Sequence, residues 1–181
     1  MVQQSLNENS VKRMAVDAGA LYVNYGEDDE RLVGATRGGN SFNIEQTVRQ
    51  IEVDNARGPL VGGRRVVSET ARITANIMEM TRENIQFAIF GSSLNTDEVS
   101  RTLSIPGASA YLTNVALVGT MAGSSDPIVC KLKNAIADGN FELTMEDQNE
   151  AAVEVQLTAH FLPEALNDSP WSILVPEIPA P

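Results

Sequence analysis

Apolar and polar residues alternate most regularly over residues 66–78. Val67, Ala71, Ile73, Ala75 and Ile77 take one parity, and Ser68, Thr70, Arg72, Thr74 and Asn76 take the other. Successive side chains of a strand point to opposite faces, so this period of two predicts a half-buried β-strand. It is long for a strand and is expected to project beyond a compact sheet or to curve around one. Residues 41–53 are also β-like. Phe42, Ile44 and Val48 share a parity, while Ile51 and Val53 take the other. One inserted residue swaps the faces of a strand, which predicts a bulge near Arg49 and Gln50. Between the two strands, DNARGPLVGGRR (54–65) carries Gly58, Pro59, Gly62 and Gly63 and reads as a long loop.

The period changes over residues 82–90. Ile85, Ala88 and Ile89 fall at helical spacing, with Thr81 placed as N-cap and Gly91 just past the end. This predicts one short, buried helix whose apolar face is widened by Phe87 and Phe90. Shorter strands are expected at 20–25, 100–105, 111–119 and 127–135, and RLVGATRGGN (31–40) reads as a glycine-rich turn region. Near the end, Phe141, Leu143 and Met145 alternate with Glu142, Thr144 and Glu146. Val153, Val155, Leu157, Ala159 and Phe161 alternate with Glu154, Gln156, Thr158 and His160. The two runs predict a hairpin with one core face and one acid-bearing face. WSILV (171–175) is expected to add an edge strand, since flanking prolines are tolerated at edges.

Together these elements predict a mainly β fold of about eight or nine strands. The expected architecture is two packed antiparallel sheets, a sandwich or partly closed barrel, with one short flanking α-helix. Residues 1–18 read as an N-terminal arm, 19–162 as the β-sandwich domain and 163–181 as a proline-rich C-terminal tail.

The chain has 181 residues, enough for one domain that buries its own core. Its formal charge of −11 argues against a general nucleic-acid binder, because phosphate contacts need a surplus of cations. It argues equally against a peripheral protein held on anionic lipid. The charge is uneven: residues 31–82 carry eight arginines against five acids, while residues 134–181 carry nine acids and no Lys or Arg. A basic middle and an acidic end can attract each other between copies, or can be two solvated faces of one monomer. One cysteine excludes an intramolecular disulfide and a cysteine-only metal cluster, and one histidine excludes sites that need two imidazoles. No apolar run approaches the about 18–20 residues of a membrane span. The polar start MVQQSLNENSVKR does not read as a signal peptide. A reducing cytoplasm, or an assembly built there, is the expected setting.

Little in the sequence points to catalysis. His160 has no G-x-S-x-G serine to serve and reads as a strand residue facing solvent or an interface. Cys130, between apolar neighbours, reads as a packed thiol. The acidic run 27–30 offers hard oxygen ligands but lacks the spaced pattern of a calcium loop, so it reads as a solvated turn. The glycines of VGATRGGN and LVGGRR match neither a phosphate loop nor a dinucleotide fingerprint. No catalytic residue, metal ligand or cofactor site is expected, and the chain does not read as an enzyme.

Residues 41–89 resemble the tail tube (major tail) proteins of long-tailed bacteriophages. The residues that carry the resemblance are SFNIEQTVRQIEVDNARGPLVGGRR, the strand RITANIMEM and the helix segment TRENIQFAIFG. The order is that of the family: a strand ending in an acidic turn, a Gly-Pro loop with basic flanks, a long alternating strand, and a short helix introduced by a Thr. The resemblance implies a structural virion protein without catalytic activity or cofactor. Hexameric rings would stack into a tube around a channel, and the phage genome would pass through it into the host. The implied partners are further copies of the chain, with tape-measure and tail-terminator or baseplate proteins, and DNA only as non-specific transit cargo. The implied location is the virion tail, assembled in the bacterial cytoplasm with no membrane insertion. For contacts between subunits or rings the candidates are Asp54, Arg57, Gly58, Pro59, Gly62, Gly63, Arg64 and Arg65. For the channel wall they are Glu142, Thr144, Glu146, Glu154, Gln156 and Thr158. Two other readings stay open: a β-sandwich binding or decoration module of a virion, and the inner tube of a secretion system.

Overall fold

The computed structural model describes residues 10–17, 19–101, 107–145, 147 and 150–177. The strands are β1 (Ala20–Val23), β2 (Arg31–Leu32), β3 (Thr36–Gln50), β4 (Arg64–Ile77), β5 (Ser93–Asn95), β6 (Glu98–Ser100), β7 (Leu112–Gly119), β8 (Ile128–Ala137), β9 (Val153–Thr158) and β10 (Trp171–Leu174). The helix is α1 (Arg82–Ala88). No helix among the described residues is long and apolar enough to cross a membrane.

The expected mainly β character holds, and the expected pair of packed antiparallel sheets is met only in part. One eight-stranded antiparallel sheet runs β2-β1-β7-β8-β9-β4-β3, with β10 also on β8, and β5–β6 form a separate two-stranded ribbon. A single sheet results because β8 serves both halves. Its first part lies between β7 and β10, whereas Ile136 and Ala137 pair with Thr158 and Leu157 of β9. At the switch, Asn134 adopts φ 49°, a left-handed conformation that asparagine tolerates better than most residues. Its Nδ2 donates to the His160 carbonyl at 3.1 Å. Both halves bury side chains in one core, with Leu21, Val23, Val115 and Leu132 from one and Ala71, Ile73, Val155 and Leu157 from the other. The sheet does not close, since β2 and β3 remain its ladder edges.

Alternation gives the buried face of β4 correctly: Ala71, Ile73, Ala75 and Ile77 are all buried. The anticipated C-terminal hairpin does not form, because residues 141–145 are irregular. On one edge β9 is taken up by a strand from far earlier in the chain. Its whole length pairs with Arg72–Ile77, and its other side takes the end of β8. Residues 31–40 also differ from a simple turn. They supply β2 and the start of β3, where Gly38 and Gly39 take φ of 80° and 89°. Between Thr36 and Asn40 the register slips relative to β4, so the glycines absorb a bulge that side-chain-bearing residues would resist. The edge strand expected over 171–175 does form, as β10.

The helix starts where expected, with the Thr81 hydroxyl accepting from the Asn84 backbone N–H at 3.2 Å. It stops at Ala88, two residues short of the expected end. Asn84, which periodicity does not mark, ties α1 to the sheet. Its buried amide donates to the carbonyls of Val33 and Glu79 at 2.8 and 2.9 Å and accepts from Arg31 Nη1 at 2.6 Å. Of the expected N-terminal arm, residues 10–17 lie along the end of β7. Ala15 bridges Met121, and the Val16 N–H donates to the Thr120 carbonyl at 3.1 Å.

Candidate functional site

The most unusual feature of the fold is an arm. β9 covers β4 only from Arg72 to Ile77, yet the β3–β4 ladder continues to the pair Gln50–Arg64. The projection expected of the long strand is therefore present, as two strands with no third. The register irregularity lies between Thr47 and Val48, with Val67 of β4 as the extra residue. The bulge expected at Arg49 and Gln50 is thus on the opposite strand. The phase flip at Ile51 and Val53 has a different cause, since both have left the ladder.

Arg64 and Arg65, expected in the loop, are the first residues of β4, and the connection is residues 51–63. Asp54, Arg57, Gly58, Pro59 and Gly62 are exposed at the tip, and Gly63 is half-buried. The Ile51 N–H donates to the Gly63 carbonyl at 2.7 Å and closes the neck of the tip. Gly62, at φ 80°, supplies the left-handed turn that brings the chain back to β4. All eight interface candidates therefore lie on one structural unit.

Sequence reasoning missed what the arm exposes. Val48, Ile51, Val53, Leu60, Val61, Val66 and Val67 are each about half exposed or more, and Val61 reaches 107%. The signal was available: Ile51, Val53, Leu60 and Val61 fall within a Gly-Pro tip where a solvated loop would carry polar residues. Two-stranded hairpins are marginal in water by themselves, and exposed apolar clusters of this kind mark contact surfaces. The charges point the same way. Arg49 and Arg65 are direct cross-strand partners, an arrangement of like charges that destabilises a ladder. Among the described residues, no carboxylate pairs with Arg49, Arg57, Arg64 or Arg65.

The base of the arm is fixed by a polar cluster. Glu69 accepts from its cross-strand neighbour Gln46, and at 2.7 Å from the Trp171 indole N–H of β10. The Gln46 bond, helped by those from Trp171 and Ser169, holds the Glu69 carboxyl below the usual carboxylate range, against an opposing push from burial. A lowered folded-state pKa stabilises the fold above the ordinary carboxylate pKa, and this contribution disappears as pH falls through the lowered value. Trp171 is the only tryptophan. Its fluorescence should therefore report an acid transition below pH 4.5, and Glu69→Gln should abolish that step while leaving the neutral-pH spectrum of a folded chain.

The channel-wall candidates do not share one face. Glu142 and Thr144 are exposed in the irregular segment, and Glu146 lies outside the described residues. On β9, Glu154 is exposed, Gln156 is half-buried and Thr158 is buried, its hydroxyl bonded to Asp138. Only Glu154 and Gln156 are presented together on a strand.

The other side chains singled out in the sequence have local partners or apolar surroundings. His160 is half-buried, with Nδ1 3.1 Å from the Thr158 carbonyl oxygen and its ring edge-on to Tyr111. Burial pushes the Cys130 thiol up, away from the reactive thiolate. The acidic run 27–30 braces its own turn: Asp29 accepts from Asn24 Nδ2 at 2.6 Å and Glu30 from the Gly26 N–H at 2.7 Å. No group of three His, Cys, Asp or Glu among the described residues is placed to hold a metal ion.

No protein-family model and no curated protein matches the chain. Among solved structures it is similar to a chain from the tail of an empty GTA particle, computed with helical refinement in C6 symmetry. The TM-score is 0.48 at 8% identity, covering 87% of this chain and 96% of that one. It is also similar to a chain from the virion of a native gene transfer agent (GTA) particle. There the TM-score is 0.49 at 7% identity, covering 90% of this chain and 100% of the other. At these identities and scores the likeness concerns chain course, not function.

Proposed function

We propose that this chain is a structural protein of a phage-like tail, assembling head to tail into hexameric rings that stack as a tail tube. The observation that carries the reading is the arm. It holds seven aliphatic side chains in water and sets two unpaired arginines against each other. Both costs disappear when another copy covers the apolar surface and brings carboxylates to the guanidinium groups. The chain itself has the acids to do so, at a net charge of −11. The resemblance of residues 41–89 to tail tube proteins supplies the form of the assembly. In such a tube an acidic wall, with Glu154 and Gln156 as its candidates here, repels phosphates and lets DNA slide without salt-dependent sticking. Catalysis and a cofactor have no part in this function.

Negative-stain electron microscopy across a concentration series tests the proposal. Rings or stacked tubes with a central channel are the expected result. Isolated globular particles up to the solubility limit would overturn it, in favour of a binding or decoration module.

A further inference from the structure

We propose that the tip of the arm docks, in the next copy, into the cleft between α1 and the β1–β2 turn. The inference rests on the self-assembly reading above and names the surface that receives the arm. The cleft has a volume of about 360 Å³. Val23, Phe87, Leu112 and Ile136 give it an apolar floor, and Asp29 and Glu83 stand at its wall.

Three observations select a second copy's tip as the occupant. The first is charge. Residues 48–66 carry four arginines against Glu52 and Asp54, whereas the cleft adjoins the run Glu27, Asp28, Asp29 and Glu30 and includes Glu83. Arg31, the one cation in the wall, is already turned toward Asn84, with Nη1 2.6 Å from its side-chain oxygen. The second is shape and chemistry. Leu60 and Val61 project from the tip, and a cleft of this size with an apolar floor accepts two aliphatic side chains. Arg57 then lies at the acidic wall.

The third is position. The arm leaves β4 at Arg64, and α1 follows the other end of β4 after a short connection from Ile77. The two surfaces therefore lie at opposite ends of one strand, roughly 40 Å of extended chain apart at about 3.3 Å per residue. A tip cannot reach the cleft of its own copy, but it reaches that of a neighbour displaced along the strand. Different patches meeting in this way make a heterologous contact, which propagates instead of closing as a dimer.

Disulfide trapping tests the site. In a Cys130→Ser background, one protein carries Val61→Cys and a second carries Ser109→Cys, an exposed position on the cleft. The two are mixed, allowed to assemble and oxidised. The expected product is a disulfide-linked pair containing one of each protein, formed in the assembly and absent from the dilute monomer. Pro59→Cys carries the same readout if Val61→Cys assembles poorly. Tubes that form without this link would overturn the docking site and leave the tube reading standing. Failure of the unmodified chain to form any ordered assembly would overturn both.

Discussion

Leu157→Ala should destabilise the folded monomer by about 3 kcal/mol, the middle of the range for truncating a buried leucine. Leu157 is fully buried and lies in register between Ile73 of β4 and Ala137 of β8. It therefore sits where the two halves of the sheet join, flanked on both edges by ladders that cannot slide inward to fill the space. The small Ala137 neighbour offers no atoms to replace those removed. A loss of this size is a large share of the roughly 5–15 kcal/mol that holds a domain together, and it should lower Tm by about 6–12 °C. Urea unfolding should show a lower midpoint at unchanged slope. Val61→Ala, on the exposed tip, should move the midpoint by no more than about 0.5 kcal/mol. Equal shifts for the two variants would contradict the core described above.

Residues 71–77 were legible because the sheet covers one face and leaves the other wet, so alternation and burial coincide. Val67 shows the limit of that signal. It continues the same parity, but β9 no longer lies beside β4 at that point, and the side chain is exposed. Period two says which residues share a face, not whether anything covers it. The failed hairpin has a related cause. Both runs alternate, yet one edge of β9 is taken by β4, and that pairing joins residues far apart in the chain. Asn84 left no trace at all, since a buried amide with partners on β2 and its flanks has no local pattern. The basic Gly-Pro tip was recognisable from composition. The opposition of Arg49 and Arg65 was not, because it depends on register. Upstream of the Val67 bulge, Thr47 faces Ser68; continued without the bulge, that register would set Arg49 against Val66 instead. One extra residue in β4 thus creates the like-charge pair that gives the arm its demand for an acidic partner.

Replacing residues 51–63 by Asn-Gly should abolish assembly and leave a folded monomer. The last ladder pair, Gln50–Arg64, can be joined by a two-residue turn of that sequence. None of the deleted residues belongs to the buried core, and a shorter loop costs less entropy to close, so monomer Tm should hold within about 2 °C. The deletion removes Ile51, Val53, Leu60 and Val61 from the contact. Full burial of such a side chain contributes about 1.5–3 kcal/mol; counting about 1 kcal/mol each, since all but Val61 start only about half exposed, gives about 4 kcal/mol per contact. That is roughly a thousand-fold in affinity at each contact, multiplied around and along an assembly. Arg65→Glu separates the electrostatic share by sign. In the monomer it turns the Arg49–Arg65 repulsion into an attraction and should raise stability by a few tenths of a kcal/mol. In the assembly it places a carboxylate against an acidic neighbour and should raise the concentration at which tubes appear in sedimentation. An arm that is only a solvated hairpin would show the first effect without the second, and trimmed chains would still form tubes.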